Sequence, residues 1–248
     1  MRLYIISCEV FCREFQVFAS ASRHLIDTVF KPFGLHDTPE VLRERLQEAI
    51  DAVPSGRYDY ILIGYGLCCR GTAGLVARDT PLVFVRAHDC ITFFLGSKER
   101  YIHQFTEHPG TYYYTSGWIE RKDGHAEQGH TRALKDIERQ ARFERYVERY
   151  GEDNARYLIE METQWLSQYK RAAFIDLGIG NTETYQTFVQ GVAETHGWEY
   201  EEIQGDTRLI ERFLEGEWDP ESFLIVPPGQ RMAETHDASI IKVENKAG

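Results

Sequence analysis

Basic residues are in short supply in this chain of 248: 28 Lys and Arg stand against 39 Asp and Glu, giving a formal net charge of -11. Nucleic-acid and anionic-membrane surfaces need clustered Lys and Arg, so neither is expected as a partner. No apolar run approaches membrane-spanning length, and the opening MRLYIISCEV has one basic residue before an apolar stretch too short for a signal peptide. A cytoplasmic location is therefore expected. Cysteine is also sparse, with five in the chain and no C-x-x-C pair. In a reducing compartment these are poor disulfide candidates, which leaves free thiols or thiolates on a metal. There is no Walker motif, no G-x-G-x-x-G and no G-x-S-x-G, so P-loop, dinucleotide and serine-nucleophile sites have no sequence support.

With 42% hydrophobic residues the chain has enough material for a full core. Its pattern alternates short aliphatic runs with helical periodicity, the mark of parallel strands joined by crossover helices. The runs Leu3–Ser7, Tyr60–Ile63 and Leu82–Val85 come first, with a helix expected from Glu9 to Leu25 and another from Pro39 to Val53. A short helix is expected before Leu82, and a further one from Ser97. After residue 105 the text becomes aromatic and aperiodic, with Tyr112, Tyr113, Tyr114 and Trp118 as an expected lid, and then strongly helical from Thr131 to Gln168. Strand signals return at Ala172–Leu177, Glu199–Ile203 and Phe223–Val226.

The expected fold is α/β, two Rossmann-like halves with mainly parallel sheets, linked by a helical segment and separated by a cleft. Its parts are a cysteine-bearing half over 1–105, an aromatic excursion and helical linker over 106–170, a second half over 171–235, and a polar tail over 236–248.

Cys8, Cys68 and Cys90 each follow a separate strand run, so parallel strands would deliver all three thiols to one sheet edge, where open α/β sheets bind ligands. Three thiolates suit a soft cation, either zinc or an iron–sulfur cluster of the 4Fe-4S type, and leave one coordination position for substrate or water. Cysteine is also an ordinary small buried residue at strand ends, so the pattern has a plainer explanation too. His88, Asp89 and Glu9 are the candidate acid/base groups beside the thiols. Arg70 and Arg86 are candidates to hold a small anionic substrate, with Gly66, Gly178 and Asn181 as backbone cradles.

The segments YGLCCRGTAGL, RAHDCITFFLGSKERY, TSGWIE, GWEYEEIQGD and GEWDPESFLIVPPG together resemble the domain of unknown function 1638 family of anaerobic bacteria and archaea. The likeness spans most of the chain. It implies a cysteine near the N-terminus, a YGLC loop and an HDC loop, which fall on Cys8, Cys68 and Cys90. Cys69 stands where the family usually has glycine, which leaves open which of the adjacent cysteines is the ligand. The resemblance further implies an association with corrinoid-dependent one-carbon methyl transfer. Expected functions are a metal-dependent lyase, hydrolase or methyl-transfer enzyme, or a non-catalytic accessory to a corrinoid protein or methyltransferase.

Overall fold

The computed structural model describes residues 1–68, 70–124, 143–164 and 168–245. In the helical run Thr131–Gln168 the expected core residues Leu134, Ile137 and Trp165 and the side chain of Met161 fall outside what is described, as does Cys69.

The chain forms a mixed α/β protein with two sheets and a C-terminal hairpin. The larger sheet has the order β2-β1-β3-β4-β8, with β1 Arg2–Cys8, β2 Leu25–Lys31, β3 Tyr60–Gly64, β4 Leu82–Val85 and β8 Phe223–Val226. Its first four strands are parallel, and β8 runs antiparallel to β4 with Phe84 opposite Leu224. β3 and β4 are almost wholly buried, as aliphatic strands covered on both faces must be. A smaller sheet of β5 Thr111–Tyr114, β6 Arg171–Asp176 and β7 Glu199–Gln204 is parallel throughout, with β6 in the middle.

Alternation along β6 ties the sheets together. Ala173 and Ile175 point into the large core with Ile5, Phe11 and Phe94, whereas Ala172 and Phe174 point to a second core with Tyr114, Tyr185 and Val189. The large core centres on stacked rings: Phe11 lies 5.0 Å from both Phe15 and Phe94, and Phe213 and Phe223 stack beyond them. Helices α1 Cys12–Ala21, α2 Pro39–Asp51, α3 Ile91–Leu95, α4 Lys98–Glu107 and α5 Ser116–Gly124 follow in chain order. A helical stretch over residues 143–150 (α6) is separated by Gly151 from α7 Glu152–Gln164. Then come α8 Thr182–His196, on the small sheet, and α9 Arg208–Glu215, packed on α1 and α3.

Several elements depart from the sequence expectation. The first helix stops at Ala21, because Ser22 turns to extended backbone and the LIDTVFK run pairs with β1 as an edge strand. Among the described residues no helix lies between β3 and β4: residues 70–74 are turns, and Val76 bridges to Arg231. The aromatic stretch TYYY is a strand, its hydrogen bonds satisfied by β6. Phe223–Val226, expected with the later strands, closes the first sheet instead. The polar text expected as a tail forms a hairpin up to Asn245, where β9 Gln230–Glu234 pairs antiparallel with β10 Ile241–Asn245.

Candidate functional site

The three strands that end in cysteine loops, β1, β3 and β4, are neighbours in the sheet, so their C-terminal ends open side by side. Backbone pairing continues past the last strand residues: Leu67 N donates to Ala87 O at 2.8 Å and Cys68 N to His88 O at 2.9 Å. This approach requires glycine at position 66, where a Cβ would lie 2.8 Å from the backbone of Asp89. Thr72 Oγ1 then donates to Gly66 O at 3.0 Å and pins the loop from the other side. Within it Cys68 (φ 46°) and Arg70 (φ 70°) both adopt the left-handed conformation, uncommon for residues with a side chain.

A cavity of about 430 Å³ sits at this edge. Cys8, Cys68 and Cys90 line it together with His88, Asp89 and Tyr65, and the opposite wall is aromatic, including Tyr112, Trp118 and Tyr169. That wall is fastened to the large sheet by a close approach: a Cβ on Gly117 would lie 1.8 Å from Val10 O, so only glycine lets α5 lie against the turn after β1. Ser116 Oγ donates to the buried Glu14 carboxylate at 2.6 Å and locks the same junction.

Burial sets the electrostatics. The Cys8 thiol is pushed up to about 11 by burial, which outweighs the Val10 backbone hydrogen bond and the neighbouring Tyr65 hydroxyl, both of which favour the thiolate. Cys90, at the start of α3, is also raised well above the ordinary thiol value, by burial first and then by the charges of Asp89, Cys68 and Cys8. Both thiols are therefore protonated at neutral pH, and a bound cation is what would draw their protons off. Among the described residues no three His, Cys, Asp or Glu side chains already stand in a metal-ligating arrangement. Asp89 is raised by burial although it accepts hydrogen bonds from Tyr101 Oη at 2.9 Å and from Ile91 N at 2.9 Å.

Of the residues singled out in the sequence, Cys8, Cys68, Cys90, His88 and Asp89 meet on the cavity together with Tyr112, Tyr113 and Trp118, and Gly66 lets the Cys68 loop lie against the backbone of Asp89. The others lie elsewhere. Glu9 turns back to accept the Phe33 amide at 3.1 Å, which orients a cavity ring. Arg86 donates to the carbonyls of Pro220 (2.8 Å), Phe223 (3.2 Å), Ser239 (2.8 Å) and Ile241, so its guanidinium clamps the C-terminal hairpin onto the sheet. Arg70 pairs with Glu234 at 2.6 Å in a separate surface groove. Gly178 and Asn181 form an exposed turn in which Asn181 Oδ1 caps α8 by accepting from Thr184 N at 3.3 Å. Cys12, on α1, is not on the cavity wall. Residues the sequence reading passed over are Tyr65, Tyr101, Phe33 and Tyr169. Tyr101 sits on α4, close in sequence to the HDC loop whose Asp89 it meets, whereas Phe33 and Tyr169 reach the wall only through tertiary placement.

The fold and site define an α/β protein with a thiol-lined, aromatic-walled cavity at the C-terminal edge of a parallel sheet. The chain belongs to the family described as "Protein of unknown function (DUF1638)", whose model matches residues 30–214. The matched span includes Cys68 and Cys90 and begins after Cys8. Comparison with curated proteins and with solved structures finds no match. No described helix is long and apolar enough to cross a membrane.

Proposed function

We propose that this is a metal-thiolate enzyme in which Cys8, Cys68 and Cys90 hold a 4Fe-4S cluster or a zinc ion, one coordination position facing the cavity. The observation that carries the reading is that three thiols, from the ends of three adjacent parallel strands, line one cavity. The mainly parallel larger sheet and the parallel smaller sheet are read as Rossmann-like halves, and the cavity as the cleft where substrate binds. When bound, the metal supplies a Lewis acid at its open position. His88 carries a proton to or from the substrate, and Tyr101 holds the Asp89 carboxyl in place. The aromatic wall keeps water from the reacting atoms. An anionic substrate, expected from Arg70 and Arg86, loses its support, because neither guanidinium lines the cavity.

A second reading, a non-catalytic accessory to corrinoid-dependent methyl transfer, is favoured by Ile102 and Phe105. These project from α4 beside the cavity, 54% and 64% exposed, as a docking partner would require.

Anaerobic purification with metal and sulfide analysis tests the first reading. Iron with sulfide and a broad visible band identifies the cluster, and zinc without colour identifies the ion. Each of C8S, C68S and C90S lowers metal per chain. Full metal in all three variants, or no metal in the native protein, overturns it. Full metal content with no turnover, and saturable binding of a corrinoid protein lost on Phe105→Asp, supports the accessory instead.

A further inference from the structure

We infer that Tyr65 is a positioning residue of this centre, its hydroxyl donating to the Cys8 sulfur once that thiol has given up its proton to a metal. The inference rests on the metal-thiolate reading above and adds to it the group that holds Cys8 in place as a ligand.

Strand register brings the two residues together. β1 and β3 run parallel, and the last residues paired between them are Ser7 and Gly64. The next residues along are Cys8 and Tyr65, so thiol and phenol stand level where the strands end, and level side chains on paired strands share a face. Both line the cavity. The junction just before them is stiff. Ser7 is fully buried, and its hydroxyl reaches the Gly64 carbonyl at 3.1 Å and the Cys8 carbonyl at 3.3 Å. A Cβ on Gly64 would strike the Ser7 side chain, so glycine is what lets the strands lie this close. Strands fastened here fix the spacing of the two side chains that follow.

The second observation is an unmet donor. Tyr65 is only 3% exposed, and its buried Oη has no hydrogen-bond partner among the described residues. Leaving a buried hydroxyl unpaired costs free energy, and native proteins keep few such groups. Its neighbour is the Cys8 thiol. A protonated thiol is a weak acceptor, whereas a thiolate is an ionised one, to which hydrogen bonds are shorter and about twice as strong. A phenol is protonated at neutral pH and so is ready to donate. The hydroxyl therefore lacks a partner in the metal-free chain and gains one when Cys8 becomes a ligand, the thiol proton leaving to solvent. The Val10 backbone amide serves the same sulfur. Two donors, one from the backbone and one from Tyr65, then orient the thiolate while it binds the metal, as the hydrogen-bond partners of metal ligands do elsewhere.

The experiment is titration of the metal-free full chain with cobalt(II) under reducing, oxygen-free conditions, comparing the native protein with Tyr65→Phe and Tyr200→Phe. Tyr200 also has a buried hydroxyl without a partner among the described residues, but it lies off the cavity and so controls for removing such a group. Three quantities are read: the Kd for cobalt, the near-ultraviolet sulfur-to-cobalt charge-transfer band, and Tm of the metal-free chain. Tyr65→Phe is expected to weaken cobalt binding at least tenfold, the usual cost of losing a hydrogen-bond partner of a metal ligand. Its charge-transfer band moves to longer wavelength, because the hydroxyl no longer holds the sulfur electrons, and its metal-free Tm stays the same or rises. Tyr200→Phe keeps the native affinity and band. Native cobalt affinity in Tyr65→Phe, or an unshifted band with a lowered Tm as a mere packing role predicts, overturns the inference and leaves the metal reading standing. A native chain that takes up no cobalt also overturns it, and the metal reading falls with it only where the purified protein lacks iron and zinc as well.

Discussion

Two loops in this molecule have the same local signature, an aliphatic parallel strand running into glycine: residues 65–68 after β3 and residues 177–181 after β6. Only the first reaches the cavity. The loop after β3 lies against a neighbouring strand's loop, so its amides are paired, its glycine is enclosed and its cysteine is delivered beside two others. The loop after β6 meets no neighbour on its Gly178 side, where a Cβ would find nothing within 4 Å. The difference teaches that a strand-glycine signature marks a turn, and that neighbouring strand ends turn it into a site.

Substitution by alanine sharpens that contrast. The largest effect is expected at Gly117, where the new Cβ collides with a carbonyl that cannot move without the turn after β1. Gly117→Ala should cost about 3 kcal/mol or more in chemical denaturation and detach the aromatic wall, read as loss of Trp fluorescence response to ligand. Gly66→Ala comes next, at about 2 kcal/mol, because the Asp89 backbone must retreat; metal content should fall with stability. Gly178→Ala should cost only about 1 kcal/mol, the penalty of its left-handed backbone (φ 69°), with metal content unchanged. If Gly178→Ala matched Gly66→Ala in metal loss, the distinction between the loops would collapse.

A smaller effect concerns the junction below the wall. Glu14 is fully buried, one of its oxygens has no hydrogen-bond partner among the described residues, and burial raises its carboxyl above the usual range. A group raised in the folded state stabilises the fold below its unfolded pKa and loses that contribution as pH rises through the folded value. Glu14→Gln should therefore raise Tm at neutral pH, by roughly 1 kcal/mol in stability, with the gain vanishing below about pH 4. A gain that grew on acidification would show that Glu14 is held ionised.

Much of the large sheet was legible because buried parallel strands write themselves as unbroken aliphatic runs. The convergence of Cys8, Cys68 and Cys90 on one space was readable for the same reason, since parallel strands share an exit edge. What escaped had weak local signals. β2 is an exposed edge strand whose LIDTVFK text follows a helix without a glycine or proline break. β5 holds three tyrosines with mixed burial, so no alternation marked it. Arg86 was misjudged as a ligand holder because nothing near it in sequence reveals four carbonyls arriving from the chain's far end.

That arrival has a consequence in time. β4 is a buried, aliphatic strand whose open side is closed by β8, and Arg86 waits for a carbonyl at Pro220, 134 residues further along the chain. During synthesis the first sheet stands with a sticky, unpaired edge until the residues through Val226 have emerged. Closing so long a loop is slow, and an uncovered hydrophobic edge invites pairing with another chain. Production of this protein should thus be governed by how well that edge is shielded before its last partner strand appears.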